Sequence, residues 1–191
     1  MPGSTTRDDI VAAADRLFYE RGYEHTAFSD IAAAVGISRG NFYYHFRIKD
    51  EILSAVINRR ILNTEAMLAR WEAESPDPTA RIRSFIHILL MNQAKILRHG
   101  CPVGTLCQEL AKLDHAAQPD AARLFTLFRD WLARQFAALG RAEDAAALAL
   151  HLLARSQGAA TLANAFHDEA FIHAEVALME AWLAKETTSC S

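Results

Sequence analysis

Ser38-Arg39-Gly40-Asn41, followed by Tyr43, Tyr44 and His45 and then by Lys49, gathers into one short stretch the side chains whose chemistry matches duplex DNA. The forked guanidinium of Arg39 fits the acceptor pair of guanine, and Asn41 suits the adenine edge or a phosphate oxygen. Gly40 lets the backbone approach closely, while Tyr43, Tyr44, His45 and Lys49 offer donors to phosphate oxygens. The competing reading is a plain aromatic helix surface with no partner.

Cys101 carries a second candidate chemistry. A thiol just ahead of a helix N-terminus, with Arg98 and His99 beside it, is expected to hold more thiolate than a free cysteine. Packed at a helix junction, the same residue would act as a small apolar side chain. An enzyme using Cys101 as nucleophile and His99 as base lacks a neighbouring orienting acid or oxyanion motif, so no catalytic residue is assigned. Cys101, Cys107 and Cys190 form neither a disulfide framework nor a zinc spacing, as expected of a chain in a reducing compartment. His151 and Arg155 stand one turn apart, but an arginine beside a histidine repels a metal ion and further ligands are missing. No metal and no cofactor is expected.

These residues need helices to hold them. The chain has 191 residues, 51% apolar and 23% charged, with abundant alanine and few strand formers, so an all-α fold is predicted. Ile10, Ala14, Leu17 and Phe18 keep helical spacing up to a stop at Gly22-Tyr23. With Thr26 as N-cap, a short helix carries Phe28, Ile31, Ala32 and Val35 and ends at Gly36; Ser38 then caps a third, with Phe42 and Phe46 facing inward. Longer helices are predicted over 49–71, 78–99, 103–114, 119–140, 143–166 and 168–185, with a frayed polar tail from 186. Thr26 to Phe46 therefore has a helix-turn-helix layout: Ala32 is small where the helices cross, and Gly36 supplies the positive φ of the turn.

Ser38-Arg39-Gly40-Asn41-Phe42-Tyr43-Tyr44-His45-Phe46-Arg47-Ile48-Lys49, with Gly22-Tyr23 and Thr26 upstream, resembles the DNA-binding signature of the TetR family of repressors. The resemblance implies a three-helix DNA-binding head over 1–48, a roughly six-helix effector-binding and dimerisation domain over 49–191, a homodimer through the last two long helices, and release from a roughly palindromic operator when a small molecule binds. It places phosphate contacts on Thr26, Tyr43, His45 and Lys49 and base-reading positions on Arg39, Gly40, Asn41 and Tyr44. Ile48 departs from the small or polar residue usual before the lysine. The stretch from Gly100 to Leu110 is similar to a segment of a subset of these repressors, some of which sense electrophiles or oxidants through the cysteine matching Cys101.

An effector pocket is expected among the fifth to eighth helices, lined by Phe85, Leu89, Phe125, Phe128 and Trp131, with Asn92, Gln93, Gln108, His151 or Arg155 as polar handles. The alternative is a filled core. Leu162, Phe166, Phe171, Leu178, Met179 and Trp182 give the final helices more apolar surface than one chain covers, which points to a second copy. The net charge of −3 argues against a protein that coats nucleic acid, yet 36–60 holds five basic residues against two acids. No leader or membrane-spanning run is read, and a cytoplasmic protein is expected. The rival functions are a helical enzyme and an interaction module that does not bind DNA.

Overall fold

Local signals set the helix ends. In the computed structural model, which describes residues 6–188, α1 (Thr6–Arg21) carries Asp8 and Asp9 in its first turn, where the helix dipole favours carboxylates. It stops at Gly22, whose φ of +90° is a left-handed conformation costing an L side chain about 1–2 kcal/mol. The next helix, α2 (Phe28–Val35), opens one residue later than predicted: Ala27, not Thr26, is the N-cap, and the Asp30 carboxylate accepts the Ala27 N–H at 2.9 Å. Ser38 caps α3 (Arg39–His45) as predicted, its hydroxyl accepting the Asn41 N–H at 3.3 Å.

The long α4 (Lys49–Glu74) runs to the Ser75-Pro76 break, and Asp77 then caps α5 (Pro78–Met91) by accepting N–H bonds from Thr79 and Ala80. The single helix predicted over 78–99 is broken. Asn92 leaves helical geometry, its side-chain amide and its backbone N–H both donating to the Ile88 carbonyl, and α6 (Gln93–His99) starts afresh beyond it. A short polar side chain competing for its own helix's carbonyl breaks a helix in this way. The rest are α7 (Pro102–Lys112), α8 (Gln118–Ala138), α9 (Ala145–Phe166) and α10 (Glu169–Thr188), with no strand among the described residues. The fraying expected from 186 does not occur at Glu186, whose carboxylate and carbonyl both accept from Arg141. Cys190 lies outside the described residues.

Two compact units result, Met1–Asn63 with Thr105–Arg123, and Thr64–Gly104 with Leu124–Ser191. In the first, Ile10, Ala14, Leu17, Phe18, Ile31, Phe42, Phe46, Leu53 and Val56 are buried. In the second, α10 packs on α5 and α9, and α6 on α9. Its core includes Trp71, Ile82, Phe85, Leu89, Trp131, Phe136, Leu152, Val176 and Met179. Each such side chain contributes about 1.5–3 kcal/mol by leaving water. Among the described residues no helix is long and apolar enough to cross a membrane.

Candidate nucleic-acid interface

Burial on one side of α3 decides what the other side shows. Phe42 and Phe46 are buried, and the Phe28 ring meets Phe42 edge-on at 5.2 Å, which holds α3 against α2. Arg39, Gly40, Asn41, Tyr43 and Tyr44 are consequently exposed, Tyr44 to 85%. The Tyr43 ring leans on Phe28 at 5.7 Å, and His45 lies half-buried against Tyr44. A Cβ on Gly40 would meet nothing within 4 Å, so protein packing does not require glycine there, and the open space suits close approach of a partner to the backbone. Ile48 is exposed in the bend before α4.

Behind this face lies a polar cluster that sequence reasoning missed. Both carboxylate oxygens of Glu109 on α7 are used, accepting the backbone N–H of Tyr23 at 2.9 Å and of Glu24 at 3.0 Å. The Tyr23 hydroxyl donates to Asp50 at 2.6 Å, and the His115 ring meets the Tyr23 ring edge-on at 5.2 Å. Lys49 sits 4.3 Å above the same ring and donates to the carbonyls of Glu24 and Thr26 at 3.2 and 3.1 Å. Burial, reinforced by Asp50, holds the Tyr23 phenol well above the usual tyrosine range. Burial pulls Lys49 down, against the opposing pull of Glu109, Glu24 and Asp50. In the sequence, Lys49 reads as a phosphate donor and Tyr23 as an apolar residue behind the Gly22 helix stop, with nothing to join them to Glu109.

The effector candidates divide. Phe85, Leu89, Phe128 and Trp131 share the core of the second unit, with the Phe85 and Phe128 rings 5.6 Å apart. The polar handles do not gather there. Asn92 bonds its own helix, Gln93 donates to Glu169 on α10, and Arg155 is paired with Glu175 at 2.9 Å. His151 is exposed, its ring against Trp182. Gln108 is exposed and belongs to the first unit. Cys101 is half-buried, its sulfur accepting the Gly104 N–H at 3.5 Å. Among the described residues no group of three or more histidine, cysteine or carboxylate side chains stands together as a metal site.

The family model described as "Bacterial regulatory proteins, tetR family" matches residues 10–56, and that described as "Transcriptional regulator LmrA/YxaF-like, C-terminal domain" matches 78–176, just over half of the chain. The chain belongs to the TetR family. A Lactococcus lactis protein named as an uncharacterized HTH-type transcriptional regulator is 29% identical over 136 residues, 70% of this chain and 69% of its own. The Pseudomonas putida HTH-type transcriptional regulator TtgR is 42% identical over 72 residues, but these span only 38% of this chain and 33% of that protein. A TetR transcriptional regulator from Legionella pneumophila has a crystal structure that superposes with a TM-score of 0.83 at 26% identity, covering 95% of this chain and 98% of its own. As a TetR-family protein this chain is a transcriptional regulator with a DNA-binding helix-turn-helix, not an enzyme.

Two of the positions to which the TetR resemblance assigns phosphate contacts, Thr26 and Lys49, are engaged within the protein. Thr26 is 0% exposed, and its hydroxyl donates to the Gly22 carbonyl at 2.7 Å, leaving no proton for a phosphate. Lys49 spends two of its three donors on the Glu24 and Thr26 carbonyls, so it ties the N-terminus of α4 to the α1–α2 turn. Lys49→Ala is expected to lower stability by about 1–3 kcal/mol. It should leave the slope of log K against log salt unchanged, whereas a lost phosphate contact would flatten it by about one unit per half-site. Titrating operator binding from low to moderate salt distinguishes the two.

Proposed function

We propose that this regulator is a repressor that binds a roughly palindromic operator as a homodimer and lets go when a small molecule enters the core of the second unit. The exposed row of Arg39, Gly40, Asn41, Tyr43 and Tyr44 on a helix held by Phe42 and Phe46 is the observation that carries the reading. Function divides between 1–48, which reads DNA, and 49–191, which binds effector and partner. Salt-dependent binding of a duplex, absent from an enzyme or an interaction module, tests it: log K should fall linearly with log salt and compete poorly with unrelated DNA.

The support for the dimer is exposed apolar surface on the last two helices. Leu150, Leu162, Phe166 and Leu178 are exposed, whereas Ile172, Val176, Met179 and Leu183 are buried in the unit's own core. Met179 thus belongs to the fold, and Leu162 is the position that tests association. A charge there must be desolvated at an apolar interface, at a cost of several kcal/mol. Leu162→Glu is expected to shift the molar mass by light scattering from dimer towards monomer at micromolar concentration, with an unchanged helical spectrum. A wild-type monomer would refute the interface.

A second release route rests on Cys101. Its half-buried sulfur accepts the Gly104 N–H at 3.5 Å at the start of α7, so a group added to the sulfur would disturb that junction. Under this route Cys101→Ser binds operator normally but no longer releases it on treatment with an electrophile. Equal release by both proteins would leave the effector route alone.

A further inference from the structure

Arg7 lies in the first turn of α1 with its guanidinium 4.8 Å above the ring of Phe46. The arginine is exposed, whereas Phe46 is buried and closes α3, its N–H donating to the Phe42 carbonyl. Ile10, Val11 and Ala14, one and two turns further on, are buried, so the inward face of α1 is the one that brings Arg7 to the C-terminal end of α3. Asp8 and Asp9 stand off that face, about 100° and 200° round the helix from Arg7. Neighbouring arginines are engaged: Arg16 pairs with Glu20, Arg60 pairs with Asp15, and Arg59 donates to the Asp8 carbonyl. A ring face, by contrast, takes none of the five N–H donors of a guanidinium.

The length of α3 says where those donors come to lie on a duplex. Its 7 residues rise about 10 Å, and the major groove is about 12 Å wide. With the N-terminal residues of α3 at the base edges, its other end therefore reaches the wall of the groove, where the phosphates run. We infer that Arg7 is a phosphate-binding residue of the DNA interface, held on Phe46 so that the edge of its guanidinium meets the backbone beside each half-site. The inference rests on the reading of α3 as the helix in the major groove. A planar fork matches two phosphate oxygens, and a long side chain already stacked on a ring loses less freedom on binding. Arg7 thus fixes the register of the head on the duplex, while α3 reads the bases.

The test uses full-length protein and a duplex that the wild type enriches from a random pool. Arg7→Gln is expected to weaken this duplex and an unrelated one by the same factor, about tenfold or more at low salt. The slope of log K against log salt should flatten by about one unit per half-site, while Arg16→Gln, on the same helix, keeps the wild-type slope. Phosphates are then replaced singly by neutral methylphosphonates. At least one replacement in each half-site should weaken the wild type and leave Arg7→Gln unaffected, a coupling that a brace for Phe46 would not produce. If Arg7→Gln does not fold, the Arg7 Nε–H resonance of the wild type, assigned by its absence in Arg7→Lys, decides: it should shift on binding the duplex and stay put on the methylphosphonate version. An unchanged slope in Arg7→Gln, equal flattening in Arg16→Gln, or identical methylphosphonate profiles in wild type and Arg7→Gln would each overturn the inference while leaving α3 as the reading helix. A wild type that enriches no duplex would overturn both.

Discussion

Glu109→Ala is expected to destabilise the protein by about 2–4 kcal/mol and to weaken operator binding at least tenfold, although Glu109 bonds the α1–α2 turn and lies on α7. The carboxylate accepts two backbone N–H groups, and bonds to a charged acceptor contribute about 1.5–3 kcal/mol each, not fully additively. Its loss orphans the Tyr23 and Glu24 N–H groups and removes the carboxylate that most favours the charged form of Lys49. The α1–α2 turn would then rest on Lys49, the Tyr23–Asp50 bond and the bonds of Thr26. Gly22→Ala probes the same contact from the other side: a Cβ there would stand 2.8 Å from Glu109 Oε1, on a residue with φ of +90°. In a double-mutant cycle, Glu109→Ala should relieve the clash component of Gly22→Ala and leave the backbone component. Denaturant unfolding and fluorescence anisotropy with operator DNA measure both quantities. Unchanged stability and affinity in Glu109→Ala would show that the cluster holds nothing of consequence.

Arg39→Ala is the second large expected effect, and it differs in kind. A bidentate contact to a base edge discriminates by about 1–3 kcal/mol, and a homodimer makes it in both half-sites. Specific affinity should fall at least tenfold while binding to unrelated duplex falls far less, so the variant loses selectivity more than grip. Stability should stay within about 0.5 kcal/mol of wild type, because Arg39 is exposed. Tyr43→Phe, which removes an exposed hydroxyl proposed to meet a phosphate, is the contrasting case: all duplexes should weaken alike. Competition titrations with specific and scrambled duplexes separate the two patterns.

Much of this was legible in the sequence because the relevant signals are local. Ser38 caps α3, Gly36 turns the chain with φ of +75°, and Phe42 and Phe46 repeat at one helical turn, so the outward residues of the reading helix follow by subtraction. Pro78 and Asp77 announce the start of α5 in the same way. Contacts distant in sequence left no such mark. Glu109 is 86 residues from Tyr23, and nothing in its own helix distinguishes it from a solvated carboxylate. Thr26 reads as a cap or a phosphate donor, and neither reading foresees its hydroxyl donating to the Gly22 carbonyl. The break at Asn92 was hidden because apolar residues keep helical spacing on both sides of it. The polar handles named for a pocket were chosen by type, but Gln93 and Arg155 find carboxylates on α10 that periodicity cannot align with them.

The reading helix is the centre of the account, and selection from a pool of random duplexes tests it most directly. Purified full-length protein is expected to enrich an inverted repeat whose half-site centres lie about one helical turn, or a multiple of it, apart. Arg39→Ala should lose preference at one base pair in each half-site and keep the spacing. A pool that stays random after repeated rounds, or an enriched motif that Arg39→Ala reproduces unchanged, would contradict the assignment of α3 as the element that reads DNA.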